Sequence, residues 1–339
     1  MQSGITAKLL AKNLRYNQHM RTVVGVLRGG PSSEYDVSLK SGASVLENLD
    51  REQYDPRDIF ISRDGTWHLH GVAVPPERAL HGVDVAFNAM HGEYGEDGGV
   101  QRLLERLGVA YTGSGVIPSA TAFNKHLTKQ EAKRLGVKVA HGVVVQNNGD
   151  TESLAHDLFR SFPHPAIIKP VAGGSSVGTN IANNFHQLQL ALQKAFAVSP
   201  EVLVEEYIKG REATVGVLDD FRGEKAYALL PVEIIPPPHH DFFSYEAKYS
   251  GETTERVPGN FSHTQKAELE RLAKTIHQGM GLMHYSRSDF ILSPRGIYFL
   301  EVNTLPGLTK ESLLPKALKA VGSSLSQFLD HVIQLARKR

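Results

Sequence analysis

The chain of 339 residues contains no cysteine. That absence removes disulfides, zinc–thiolate sites, iron–sulfur clusters and thiol nucleophiles from the chemistry open to it. Net charge is nearly absent too: 37 Lys and Arg stand against 36 Asp and Glu, a formal +1. A dedicated nucleic-acid binder normally carries a basic excess, so no nucleic-acid partner is expected. No run approaches the roughly 20 apolar residues that a membrane helix needs, so no membrane partner is expected either. Near the N-terminus, Lys8, Lys12, Asn13 and Arg15 interrupt Leu9, Leu10 and Leu14, a pattern unlike a signal peptide. The expected compartment is the cytoplasm. Hydrophobic residues at 41% can build a packed core, and the length suggests about two domains.

The pattern along the chain alternates strands and helices. The β-branched run Thr22–Leu27 ends in Gly29-Gly30-Pro31, and apolar residues then recur at near-helical spacing from Val37 to Leu49. Asp58–Ser62 and Thr66–His70 flank the turn Arg63-Asp64-Gly65 and predict a hairpin. Val83–Met90 predicts a strand, followed by a Gly-rich loop at 91–98 and a helix that stops at Gly108. Alternation of this kind implies an α/β fold with a mostly parallel sheet and ligands at the carboxyl ends of its strands. One helix is predicted over Pro118–Leu135, then a small module ending in the strand Val202–Ile208. The last part predicts strands near Glu212–Leu218, Ala226–Ile235, Arg287–Leu292 and Gly296–Val302, with a closing amphipathic helix.

Several groups of residues carry chemistry. Glu301 and Asn303 are two apart on a predicted strand and therefore share a face. Arg287 and Asp289 share a face of the neighbouring strand. Two carboxylates and an amide oxygen suit Mg²⁺ held together with phosphates, and Arg287 suits a developing oxyanion. The same pattern also serves as a solvated charged face. The loop Gly173-Gly174-Ser175-Ser176-Val177-Gly178, with Lys169 just before it, either wraps phosphate or turns a flexible hairpin. It lacks the spacing of a Walker A loop. Glu205, Glu206 and Glu212 either accept from adenine and ribose or act as edge-strand charges. Glu34 either anchors an ammonium or answers a helix dipole. The polar stretch 236–260 has the length of a lid. Within it, His239, His240 and Asp241 make a poor metal site, because adjacent side chains point apart. An opening strand–glycine–helix also suits a dinucleotide-dependent oxidoreductase, but no GxGxxG is present at 25–33.

Taken together, the chain resembles the D-alanine–D-alanine ligases of the ATP-grasp superfamily. The resemblance runs from about Val23 to the end. It is carried by GGPSSEYDVSLKSG at 29–42, HGEYGEDGGVQ at 91–101, YTGSG at 111–115, IIKPVAGGSSVG at 167–178, EAKY at 246–249 and LEVNTLPGLTKESLLP at 300–315. It implies an ATP-grasp fold of mixed α/β type. An extension at 1–21 would precede a Rossmann-like domain at 22–113, a small central subdomain at 114–208 and a larger C-terminal subdomain at 209–339.

The implied reaction phosphorylates one D-alanine with ATP and joins the acyl phosphate to a second D-alanine, for peptidoglycan precursor synthesis. A D-alanine–D-lactate type ligase is the neighbouring alternative. By the resemblance, Lys125, Lys169 and Ser176 hold ATP phosphates. Glu205, Tyr207, Ile208 and Glu212 lie near adenine and ribose. Asp289, Glu301 and Asn303 bind two Mg²⁺, for which Mn²⁺ is the substitute. Arg287 and the Gly307 amide stabilise the tetrahedral intermediate. Glu34, Ser175 and Tyr249 form a set that orients the first D-alanine. Lys248 and Ser312 hold the carboxylate of the second, and His91 lies beside the reacting groups. A homodimer is the implied assembly. The chain departs from the family pattern at Ala172-Gly173, at His284-Tyr285-Ser286 and at Arg256-Val257-Pro258-Gly259.

Overall fold

The structure is a computed structural model that describes residues 21–173, 178–237 and 253–339. Ser175, Ser176, Lys248 and Tyr249 lie outside the described residues, as do residues 1–20 and His239, His240 and Asp241. Among the described residues the strands form three sheets.

The first module runs β1 (Thr22–Gly29), α1 (Tyr35–Asn48), β2 (Tyr54–Ile61), β3 (Trp67–Leu69), β4 (Val72–Ala73), α2 (Pro76–Ala79), β5 (Val85–Asn88), α3 (Gly99–Arg106) and β6 (Ala110–Tyr111). Its sheet has the order β4-β3-β2-β1-β5-β6. The pairings β1–β2, β1–β5 and β5–β6 are parallel, and β2–β3 is the antiparallel hairpin predicted around Arg63-Asp64-Gly65. Val24, Val26 and Leu27 are all buried, as in a strand covered on both faces. Val24 and Val26 join one core, and Leu27 joins another with Ile59 and Leu104. The chain order reverses beside β1, so the loops after β1 and β5 meet at the carboxyl end of the sheet. There the Ser32 hydroxyl donates to the His91 carbonyl at 2.6 Å.

Next come α4 (Val116–Phe123) and α5 (Lys125–Arg134). These two helices replace the single one expected over Pro118–Leu135. The Asn124 side chain accepts from the amides of His126 and Leu127 and so starts a new helix. The Lys125 amide meanwhile donates to the Val171 carbonyl at 2.8 Å. The second module is β7 (Gly142–Gln146), α6 (Thr151–Ser161), β8 (Ala166–Pro170), β9 (Asn180–Ala182), α7 (Phe185–Phe196) and β10 (Glu201–Glu206). Its sheet, β7-β10-β8-β9, is antiparallel throughout and has its own core beneath α6 and α7.

The third module is β11 (Arg211–Phe221), β12 (Glu224–Ala228), β13 (Val232–Ile235), β14 (Thr254–Arg256), α8 (His263–Gly279), β15 (Tyr285–Ser293), β16 (Gly296–Asn303), α9 (Leu313–Ala320) and α10 (Leu325–Ala336). The strand expected over Ala226–Ile235 is two strands, divided at Pro231, which has no amide to extend a ladder. Helices α4 and α5, expected with the central subdomain, pack on β16; Ala122, Ala132, Val137 and Val139 share a core with Phe290 and Phe299. The last helix returns to the first module, where Phe328 and Val332 pack with Val24, Val45 and Phe87. No described helix is long and apolar enough to cross a membrane.

Candidate functional site

Two clefts that share Lys125, Arg287 and Glu301 lie among these sheets. The first lies between the second and third sheets. Ala140, Ile167, Ile208, Ile234 and Leu300 make its apolar walls. Polar groups come from the strands: Lys169 on β8, Glu205 on β10, Glu212 and Thr214 on β11, Asp289 on β15 and Glu301 on β16. Tyr207 and Ile208, just after β10, line it as well. A cleft that combines apolar walls with charged groups suits a nucleotide, whose base is flat and whose phosphates are anionic.

Glu205 is the best-enclosed charge in this cleft. Its two oxygens meet Lys129 at 2.5 Å and Lys169 at 2.7 Å. Burial pushes the Glu205 carboxyl up, but the two ammonium groups outweigh burial and hold it below its ordinary value. Burial likewise pushes Lys129 down to about 8, against the pull of Glu205. Lys125, four residues before Lys129 on α5, donates from Nζ to the Gly173 carbonyl. At the rim, Arg295 pairs with Glu206 at 3.1 Å.

The β15–β16 ladder sets Arg287 opposite Asn303 and Asp289 opposite Glu301. Arg287 grips Asp289 with two parallel bonds, of 3.0 and 2.9 Å. The Thr214 hydroxyl donates to the same carboxylate at 2.5 Å. Burial opposes the charge on Arg287, and Asp289, Glu301 and Glu96 more than offset it. Among the described residues no three His, Cys, Asp or Glu side chains converge as a closed metal cage. The donor set fits Mg²⁺ all the same. Two carboxylates and an amide on paired strands are hard oxygens, and Mg²⁺ at nucleotide sites takes its other ligands from phosphate and water.

The second cleft is the more polar of the two. It is lined by Glu34, His91, Glu96, Lys125, Arg287, Glu301, Asn303, Gly307 and Ser312. His91 is buried, its amide donating to the Ser38 hydroxyl at 2.9 Å and its Nε2 lying 2.8 Å from the Ser41 hydroxyl. Burial pushes the imidazole down, although the Glu34 charge pulls the other way. Glu96 accepts from the Gly92 amide at 2.6 Å. Burial first, then the Glu34 charge, pushes its carboxyl up to about 8. Gly92 has φ +75°, and a Cβ there would stand 2.9 Å from Ser32 and 3.1 Å from Glu34 Oε2, so glycine keeps this corner open. At Gly307 a Cβ would stand 2.8 Å from Ser312 Oγ, which itself accepts from the Thr309 amide.

Of the residues singled out from sequence, Lys125, Lys169, Glu205, Tyr207, Ile208, Glu212, Arg287, Asp289 and Glu301 line the first cleft. Glu34, His91, Asn303, Gly307 and Ser312 line the second. Sequence reasoning missed Lys129, Glu96, Thr214 and Ser41. Lys129 had a signal in its helical spacing from Lys125, and Glu96 lay inside a quoted motif. The departure at His284 is far from both clefts in role. It adopts φ +66°, a backbone suited to glycine, and its Nδ1 accepts from the Gly113 amide at 3.0 Å, tying the third module to the first.

Two antiparallel sheets closing on one cleft, which shares Lys125, Arg287 and Glu301 with a second, are the architecture of an ATP-grasp ligase. Family models agree: D-ala D-ala ligase C-terminus matches residues 132–334, and D-ala D-ala ligase N-terminus matches 23–77 and 72–114. The chain belongs to the D-alanine–D-alanine ligase family. It is 39% identical over 319 residues to D-alanine–D-alanine ligase of Syntrophobacter fumaroxidans, covering 93% of this chain and 98% of that one. Its counterpart in Geobacter sulfurreducens is 38% identical, with 92% and 93% covered. Among solved structures, D-alanine–D-alanine ligase from Coxiella burnetii superimposes with a TM-score of 0.81 at 28% identity, over 94% of each chain. The VanG D-Ala:D-Ser ligase from Enterococcus faecalis gives 0.80 at 29%, over 94% of this chain and 100% of that one.

Proposed function

We propose that this protein joins two D-alanine molecules into D-alanyl-D-alanine, converting ATP to ADP and phosphate. The observation that carries this reading is the junction of the clefts: Lys125, Arg287 and Glu301 line both. A phosphoryl group on ATP in the first cleft and a carboxylate in the second would meet there. In the first step the carboxylate oxygen of one D-alanine bonds to the γ-phosphorus, and ADP leaves. In the second step the amino nitrogen of the other D-alanine bonds to the acyl carbon. Phosphate then leaves with the C–O electrons, and the nitrogen sheds a proton.

Each residue's part follows from charge and place. Lys125 and Lys169 would offset phosphate charge, while Glu212 receives ribose hydroxyls and Tyr207 and Ile208 frame the adenine. Arg287 and the Gly307 amide would stabilise the oxyanion of the second step. Glu34 would anchor the first ammonium, Ser312 the second carboxylate, with His91 beside them. Asp289, Glu301 and Asn303 would hold two Mg²⁺, or Mn²⁺ in their place, which when bound neutralise the phosphates. Roles for Ser175, Ser176, Lys248 and Tyr249 rest on the resemblance alone. The reading places the protein in the cytoplasm as a homodimer supplying a peptidoglycan precursor, and light scattering tests the dimer.

The test is phosphate release with ATP, Mg²⁺ and a panel of D-amino acids and D-lactate. D-alanine alone should support turnover, whereas turnover only with D-lactate as second substrate would reassign the acceptor. Glu301→Gln should lower kcat by about 1000-fold with the melting temperature unchanged, the scale of losing a charge-stabilising group at the reacting atoms. Unaltered turnover would remove Glu301 from the junction.

A further inference from the structure

Lys129 is buried and ionised against a carboxylate, yet it lines neither cleft. A lysine desolvated this far must be held by something, and a lysine so held constrains its partner in turn. The partner is Glu205, whose other oxygen faces Lys169 inside the nucleotide cleft. The three groups come from two layers. Glu205 and Lys169 belong to the second sheet, on its neighbouring strands β10 and β8. Lys129 belongs to α5, which packs on β16 of the third sheet, with Ala132 in the core that holds Phe290 and Phe299. The Lys129–Glu205 pair therefore spans the two walls of the cleft. A backbone bridge between Asn124 and Ala172 and the Lys125 amide bond to Val171 cross the same gap nearby. Those contacts join backbones, whereas the ion pair joins a side chain that lines the cleft.

We propose that Lys129 is a positioning residue of the nucleotide site, acting through Glu205. It holds Glu205 Oε1 from behind, so that Oε2 and the Lys169 ammonium present a fixed pair of charges to the nucleotide. Without Lys129, Glu205 leans on Lys169 alone. Lys169 then cannot turn to a phosphate without leaving a buried carboxylate bare. The role of Lys129 is thus expressed in nucleotide binding and only while Glu205 carries its charge. Burial that presses the Lys129 ammonium toward neutrality is consistent with this dependence, since Glu205 supplies the opposing pull. Glu301 adds a weaker pull from the third sheet, and Lys169 pushes the other way.

The proposal rests on the first cleft being the nucleotide cleft, and a double-mutant cycle separates the two claims. KM for ATP, KM for D-alanine and kcat are measured for Lys129→Met, Glu205→Gln and the double variant, each checked by thermal melting. Lys129→Met should raise KM for ATP about 10-fold, with kcat and the D-alanine KM within about 3-fold. In the Glu205→Gln background the same change should add less than about 2-fold, because no carboxylate remains to be held. A merely structural role would cost the same in both backgrounds and would overturn the proposal. Lys129→Arg keeps the charge and should leave KM for ATP within about 3-fold even if Lys129→Met cannot be purified; a 10-fold rise would overturn it as well. If Glu205→Gln alone leaves KM for ATP unchanged, the failure lies in placing the nucleotide at this wall.

Discussion

Two glutamates, one in each cleft, are enclosed to a similar degree, with 3% of Glu205 and 7% of Glu96 exposed. Burial pushes both carboxyls up, and there the likeness ends. Glu205 meets two lysines and finishes below its ordinary value. Glu96 meets a backbone amide and a second carboxylate, and rises to about 8. At neutral pH one is an anion and the other an acid. Burial alone therefore does not set the charge of a cleft; the partners delivered by neighbouring elements do. In the first cleft α5 and β8 deliver cations. In the second cleft the loops after β1 and β5 deliver two carboxylates to one corner.

The comparison breaks most readily at Glu205. Glu205→Gln leaves two buried ammonium groups without their counter-charge, which should lower stability by about 3–5 kcal/mol at pH 7 in urea unfolding. Because the folded carboxyl titrates below its unfolded value of 4.5, the stabilisation is full above that value and fades as pH falls through the folded one. The gap between wild type and variant should narrow from pH 6 to pH 3; a constant gap would mean the ion pairs are not its source. Glu96→Gln should act with the opposite sign. The native protein keeps a proton that the unfolded chain releases near pH 4.5, so wild-type stability falls as pH rises toward 8. The variant escapes that fall and should gain about 4 kcal/mol at pH 8, and almost nothing at pH 4.5. Equal effects at both pH values would place the Glu96 charge elsewhere. The smallest effect is expected at Asn124. Asn124→Ala removes the cap of α5, costing about 1 kcal/mol, and loosens the helix that carries Lys125 and Lys129. KM for ATP should rise a few-fold, and a rise in the D-alanine KM instead would assign α5 to the other cleft.

The grouping of Arg287, Asp289, Glu301 and Asn303 on adjacent strands was legible in the sequence. Period-two spacing put Arg287 with Asp289 and Glu301 with Asn303, and the turn Pro294-Arg295-Gly296 made their strands neighbours. The loops after β1 and β5 were legible from their glycines. The break at Asn124 was not, because asparagine is a weak helix breaker and the helical pattern runs on past it. Nor was the membership of α4 and α5, since an apolar helix face does not say which sheet covers it. Lys129 was missed for a related reason. A lysine on a polar-rich helix reads as solvated, and only a sheet arriving from another module buries it.

The amino-acid sequence by itself determined the element types, the strand faces and the kinds of chemical group available, because these follow from local periodicity and turn residues. It also determined that no thiol would take part, leaving the chemistry to oxygen, nitrogen and phosphate. The tertiary structure alone decided which charges meet. Glu205 finds Lys169 on the neighbouring strand of its own sheet and Lys129 through a contact with a separate layer, and Glu96 finds Glu34 where two loops converge. Ionisation depends on distances of a few ångströms between residues far apart in the chain, and no local pattern encodes those distances.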